Sequence, residues 1–194
     1  MKWQSSDFGG LLLKSGSGNI AVNGGAPLAD LEKFYLADGK PPVMMIATCE
    51  HPHRARNVDR FCLKHHVPLI TSELAALQMN TEGIELHTLM VPERRVFLKL
   101  GIWISLIPVE YDSADPFCLT VSDGENLLGI VPDGRIYPAL VKYLLDCDIV
   151  ILGNRLPVPD NADTAMERRL KRVCNMQSEL DEYFKDYSGE TAYI

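Results

Sequence analysis

The chain has 194 residues, 46% hydrophobic and 23% charged, which suffices for one globular domain with its own core. Its formal net charge of −7 argues against non-specific attraction to nucleic acid or to an anionic membrane surface, leaving only local basic patches open. No apolar run approaches the roughly 20 residues of a membrane span, and "MKWQSSDFGG" lacks a charged-then-apolar leader pattern. The five cysteines, Cys49, Cys62, Cys118, Cys147 and Cys174, are scattered and odd in number, without a CxxC. They read as reduced thiols of a cytoplasmic protein.

Taken in order, "LLLK" and "NIAVN" predict two short strands punctuated by Gly-Ser turns. Pro27 opens a helix that carries apolar residues at 28, 31, 34 and 35 and stops at Gly39. "PVMMIAT" is a continuous apolar run of buried-strand length. The segment "ARNVDRFCLKHH" places Val58, Phe61, Cys62 and His65 on one helical face. A strand at "VPLIT" and a short helix at "SELAALQM" follow. Next come β-rich segments at "IELHTLMV", "RVFLKL", "IWISLIPV", "FCLTVS" and "LLGIV", the last two joined by the turn "DGEN". "RIYPALVKYLLDC" predicts a helix with Pro138 in its first turn, and "DIVILG" a buried strand. A long amphipathic helix is expected at about 163–187, with Met166, Leu170, Val173, Cys174, Leu180 and Phe184 inward, and "SGETAYI" reads as a loose tail. Two β-rich halves with helices outside make an α+β layered sandwich.

The chemistry-bearing stretch is "IATCEHPHR", where a cysteine, a glutamate and two histidines follow a buried strand. Together with "SGSGN", "NIAVNGG", "IPVEYDSADPFCLTVSDGENLLGIVPDG" and "CDIVILGNR", it resembles the metallo-β-lactamase superfamily of hydrolases, and within it the YycJ-like branch. The resemblance runs from about Leu11 to Arg155 and rests on five partial motifs in order. It implies a four-layer αββα sandwich over residues 1–194, with a two-metal site at one sheet edge.

Carried over residue by residue, that resemblance puts Cys49 in place of the first metal-binding histidine and keeps His51 as the second. His53 stands for an aspartate and Arg54 for a histidine. Tyr111, with Glu110 beside it, stands for the third histidine of the first metal. Asp133 keeps the bridging aspartate, and Leu156 or a neighbour replaces the last histidine. A guanidinium is a permanent cation and cannot coordinate a metal. Arg54 is therefore expected to pair with Asp133, which leaves two-metal hydrolysis without its second ion.

The function implied is that of a degenerate superfamily member, kept for ligand binding or regulation. One alternative is a mononuclear zinc hydrolase of a phosphodiester or other ester, its ion held by Cys49, His51 and Asp133. In that case Asp133, His53 and Glu110 would act in catalysis. A second alternative is an interaction subunit, a homo-oligomer included, docked through the last helix. Cofactors are thus none or one zinc ion. Arg54, Arg56 and Tyr111 are candidate contacts for a small anionic ligand such as a phosphate ester. Against these stands a plainer reading, in which Cys49 is a small buried hydrophobe and His51 and His53 are solvated. His65 and His66 complement a helix C-terminus, His87 is structural, "SGSGN" is a tight turn and "ERRLKR" is a solvated helix face.

Overall fold

The computed structural model describes residues 1–97, 100–153, 164 and 177–194. Two six-stranded sheets carry the fold. The first is β1 (Lys2–Ser5), β2 (Leu11–Ser15), β3 (Gly18–Val22), β4 (Met44–Ile46), β5 (Leu69–Ser72) and β6 (Leu86–Leu89), in that order across the sheet. Its first three strands are antiparallel and the rest run parallel. Parallel neighbours need crossovers. These are α1 (Leu28–Tyr35), then α2 (Pro52–Ala55) with α3 (Val58–His65), then α4 (Glu73–Gln78).

The second sheet holds β7 (Glu93–Phe97), β8 (Ile102–Pro108), β9 (Phe117–Ser122), β10 (Leu127–Val131), β11 (Ile149–Leu152) and β12 (Glu190–Tyr193). The strands β7 to β10 form an antiparallel meander, and β11 and β12 add in parallel. Crossover α5 (Pro138–Leu144) precedes β11, and α6 (Gln177–Tyr183) precedes β12.

Side-chain alternation explains the layering. Leu11, Leu13, Ile20, Val22, Met44 and Ile46 point to the other sheet, where Ile102, Ile104, Leu106, Phe117 and Leu119 meet them. Leu12, Ala21 and Met45, one position out of phase, point outward under α1 and α3. Cys118, Val131, Val150 and Leu152 do the same under α5 and α6. Both faces of these strands are buried, so the runs read as continuously apolar rather than alternating. The expected αββα layering is thereby seen directly.

Two features differ from the sequence reading. "KWQS" forms the edge strand β1, in which only Trp3 packs against the core while Lys2, Gln4 and Ser5 are exposed, too short a pattern to signal a strand. "SGETAYI" is not a loose tail: Glu190–Tyr193 pairs in parallel with Ile149–Leu152, and the Ile194 N–H donates to the Leu152 carbonyl at 2.9 Å. Ala192 and Ile194 pack against the inter-sheet core, a tertiary contact invisible to local polarity. Deleting 190–194 is therefore expected to cost about 2–3 kcal/mol in urea denaturation, from lost burial and an uncovered sheet edge. Of the helix expected at about 163–187, the described residues show α6 (Gln177–Tyr183); Leu180 is buried under the second sheet and Phe184 packs beside it. Met166, Leu170, Val173 and Cys174, like Leu156, lie outside the described residues.

Candidate functional site

The site gathers where β3, β4 and β10 end. After β3, Asn23 takes a left-handed conformation (φ 59°), and its Oδ1 accepts hydrogen bonds from the Thr48 N–H (2.9 Å) and hydroxyl (3.0 Å). The Gly24 N–H donates to the Arg54 carbonyl at 2.7 Å. A side chain at Gly25 would collide with the His53 carbonyl, so only glycine lets this loop lie flat on α2. After β4, Cys49 is buried and His51 caps α2, whose first residue is Pro52, the residue that needs no N–H there.

These turns deliver Arg54 into the protein. Its Nε donates to Asp133 Oδ2 at 2.6 Å and its Nη2 to Oδ1 at 2.9 Å, a bidentate pair. Nη2 also donates to the Pro132 carbonyl (2.8 Å) and Nη1 to the Gly9 carbonyl (3.1 Å). Arg54 is 8% exposed and Asp133 6%, so the pair is shielded from water. One side chain from α2 thus ties the β1–β2 loop to the turn after β10.

Around this pair the mouth is lined by rings. His53, half exposed, places Nε2 3.6 Å from Asp133 Oδ1 and 3.3 Å from the Tyr111 hydroxyl. His51 lies 5.4 Å from Tyr111 and 5.6 Å from His53, centroid to centroid. Its Nε2 donates to the Asp112 carbonyl at 3.0 Å and lies 3.5 Å from Glu50. Glu110 is exposed, and its carbonyl accepts the Arg135 N–H at 2.9 Å. Arg56 is exposed at the far end of α2.

Electrostatics follow from this geometry. Burial drives the Asp133 carboxyl upward, but His53 and the Arg54 guanidinium together outweigh it and leave its pKa lowered. Burial pushes the Cys49 thiol up to about 12, with Asp133 and Glu50 adding to the effect. Burial also raises the Tyr111 phenol, with Asp133 and Cys49 contributing. Because the folded-state pKa of Asp133 lies below its unfolded value of about 3.9, its stabilisation is complete above that value and is lost as pH falls through the folded pKa. Denaturation across a pH series should therefore show the gap between wild type and Asp133→Ala closing below about pH 4.

The structure brings Arg54, Asp133, His53 and Tyr111 together. It does not assemble Cys49, His51 and Asp133 into a metal-holding set: among the described residues no three His, Cys, Asp or Glu side chains are grouped to hold an ion. Both Asp133 oxygens already face the Arg54 guanidinium, and while that pair is formed the donor set does not fit a metal. Of the candidate anion contacts, Arg54 has its charge matched by Asp133. Sequence reasoning missed Glu50, which sits inside the quoted motif and accepts the Ala114 N–H with both oxygens (3.1 and 3.2 Å), and the carbonyls of Gly9 and Pro132. The acidic residue in "CEHPHR" was the available signal for the first; backbone acceptors leave none.

The sequence matches no family profile and no curated protein. Solved structures do match. The metallo-β-lactamase fold protein YhfI from Bacillus subtilis superposes with a TM-score of 0.68 at 11% identity, over 95% of this chain and 88% of that one. A diphosphatase from the PhnP family gives 0.68 at 14% identity, over 95% and 70%. Isothiocyanate hydrolase from Delia radicum gut bacteria gives 0.61 at 16% identity, over 100% and 94%. With the paired sheets and outer helices described above, these likenesses establish that the chain has the metallo-β-lactamase fold.

Proposed function

We propose that this protein uses the metallo-β-lactamase fold for ligand binding or regulation and does not carry out two-metal hydrolysis. The observation that supports this is the buried, bidentate Arg54–Asp133 pair. A doubly charged ion about 4 Å from a guanidinium would meet a repulsion of about 8 kcal/mol at an effective dielectric near 20. Its natural bridging carboxylate is meanwhile neutralised. In this reading Arg54 takes over the structural part of a metal's task, joining loops from both halves. It supplies no Lewis acid and no activated water.

Ligand contacts would fall to His53 and Tyr111 at the mouth, with Arg56 exposed at the far end of α2. A small phosphate ester is the class to try first, because a diphosphatase shares the fold and because imidazole, phenol and guanidinium groups all donate to phosphate oxygens. The test combines metal analysis with turnover. Protein refolded with excess zinc and desalted is expected to retain well under one ion per chain and to cleave a chromogenic phosphodiester no faster than Asp133→Ala. Stoichiometric zinc that disappears in Asp133→Ala, together with turnover, would instead establish a zinc hydrolase.

A further inference from the structure

Helix α5 sits low on the second sheet. At Gly129 on β10 a Cβ would lie 2.8 Å from Leu144 Cδ2, so the missing side chain lets the helix settle directly on the strand. Beside the helix, over β8 and β9, lies a cavity of about 560 Å³, within the size range of small-molecule sites. Its helix wall carries Ala139, Tyr143 and Asp146 at helical spacing. Tyr137 is fixed in the lining by its hydroxyl, which donates to the Pro108 carbonyl at 3.0 Å.

The floor is polar. Ser105 on β8 and Thr120 on β9 are direct partners across the antiparallel pair, and both line the cavity, so their hydroxyls stand side by side. Thr120 is 8% exposed, yet its hydroxyl has no hydrogen-bond partner among the described residues, and neither has that of Ser105. A hydroxyl so deeply buried and unpaired is a cost that folding leaves standing and that an entering acceptor removes. The neighbouring Ile107, Pro108 and Leu127 side chains offer it nothing.

These groups define the ligand. Paired hydroxyls can both donate to one carbonyl oxygen. Asp146 is the one charged group among the described lining residues, and its carboxylate disfavours an anion. The apolar walls call for an apolar body. We propose that this cavity binds a small neutral carbonyl compound, its oxygen held by the Ser105 and Thr120 hydroxyls and its apolar part against Ile107 and Leu127. The cavity shares no lining residue with the Arg54–Asp133 mouth, so its occupancy does not depend on whether that site holds a metal.

The test titrates the isotopically labelled intact chain with benzamide, benzoate and toluene, following backbone amide resonances by NMR. Benzamide is expected to shift those of residues 105–108, 118–120 and 137–146, saturating with a dissociation constant of about 1 mM. Benzoate adds a charge and toluene lacks the carbonyl; each should bind roughly fivefold more weakly or worse. Thr120→Val keeps the side-chain shape and removes the hydroxyl. It should weaken benzamide about fivefold and leave toluene unchanged. Ala139→Phe, at an exposed position of the helix wall, should abolish binding by filling the cavity. No benzamide shifts at these residues, or shifts confined to His53 and Tyr111, would overturn the site. Toluene or benzoate binding as tightly as benzamide to the wild type would overturn the ligand class, a result that needs no variant to fold.

Discussion

Asp133→Ala is expected to lower the unfolding free energy by about 3–5 kcal/mol, among the largest effects of any single change in this protein. The variant leaves Arg54 charged, buried and facing a void, with only the Gly9 and Pro132 carbonyls to satisfy it. Arg54→Met strands Asp133 in the same way, with only the His53 imidazole, 3.6 Å away, beside it. The double variant Arg54→Met/Asp133→Leu removes both charges at once and should recover most of the loss, because desolvation of the pair offsets much of its attraction. Urea denaturation checks all three at constant m-value. Strict additivity of the two single effects would show that the groups do not act as a pair.

The second large effect concerns zinc. Replacing Cys49→His, His53→Asp, Arg54→His and Tyr111→His together removes the guanidinium, frees both Asp133 oxygens and supplies imidazole and carboxylate donors around His51. The wild type should show no zinc-dependent change in stability. Without metal, the fourfold variant should be less stable than the wild type, for the reason given for Arg54→Met. With zinc at about 100 times its dissociation constant it should regain about 2.7 kcal/mol. Thermal unfolding with and without zinc measures this independently of any activity. No zinc response in the fourfold variant would mean that the surrounding loops, and not the side chains at these four positions, decide whether an ion is held.

Much of the architecture could be read from the chain. "PVMMIAT", "VPLIT", "FCLTVS" and "DIVILG" are apolar on both faces because each strand is covered by a sheet on one side and helices on the other. The "DGEN" turn forms as expected, with Asp123 Oδ1 accepting the Glu125 and Asn126 N–H groups at 3.2 and 2.9 Å. β1 and β12 escaped because edge strands with polar side chains owe their pairing to a neighbour distant in sequence, not to their own pattern. At the site, pairing of Arg54 with Asp133, 79 positions away, could be anticipated only by asking what a fixed cation does where a metal would sit. Glu50 was visible as the acidic residue of the motif, but its partner, a backbone N–H 64 positions away, was not. Recognition by Gly9 and Pro132 carbonyls is likewise silent in sequence, since every residue offers one.

The most direct measurement is a crystal of the wild-type protein grown with zinc, with anomalous scattering recorded at the zinc edge. No anomalous peak is expected at coordination distance from Asp133, and the Arg54 fork should show density against both carboxylate oxygens. Two peaks bridged by Asp133, with Arg54 turned out to solvent, would contradict a metal-free site.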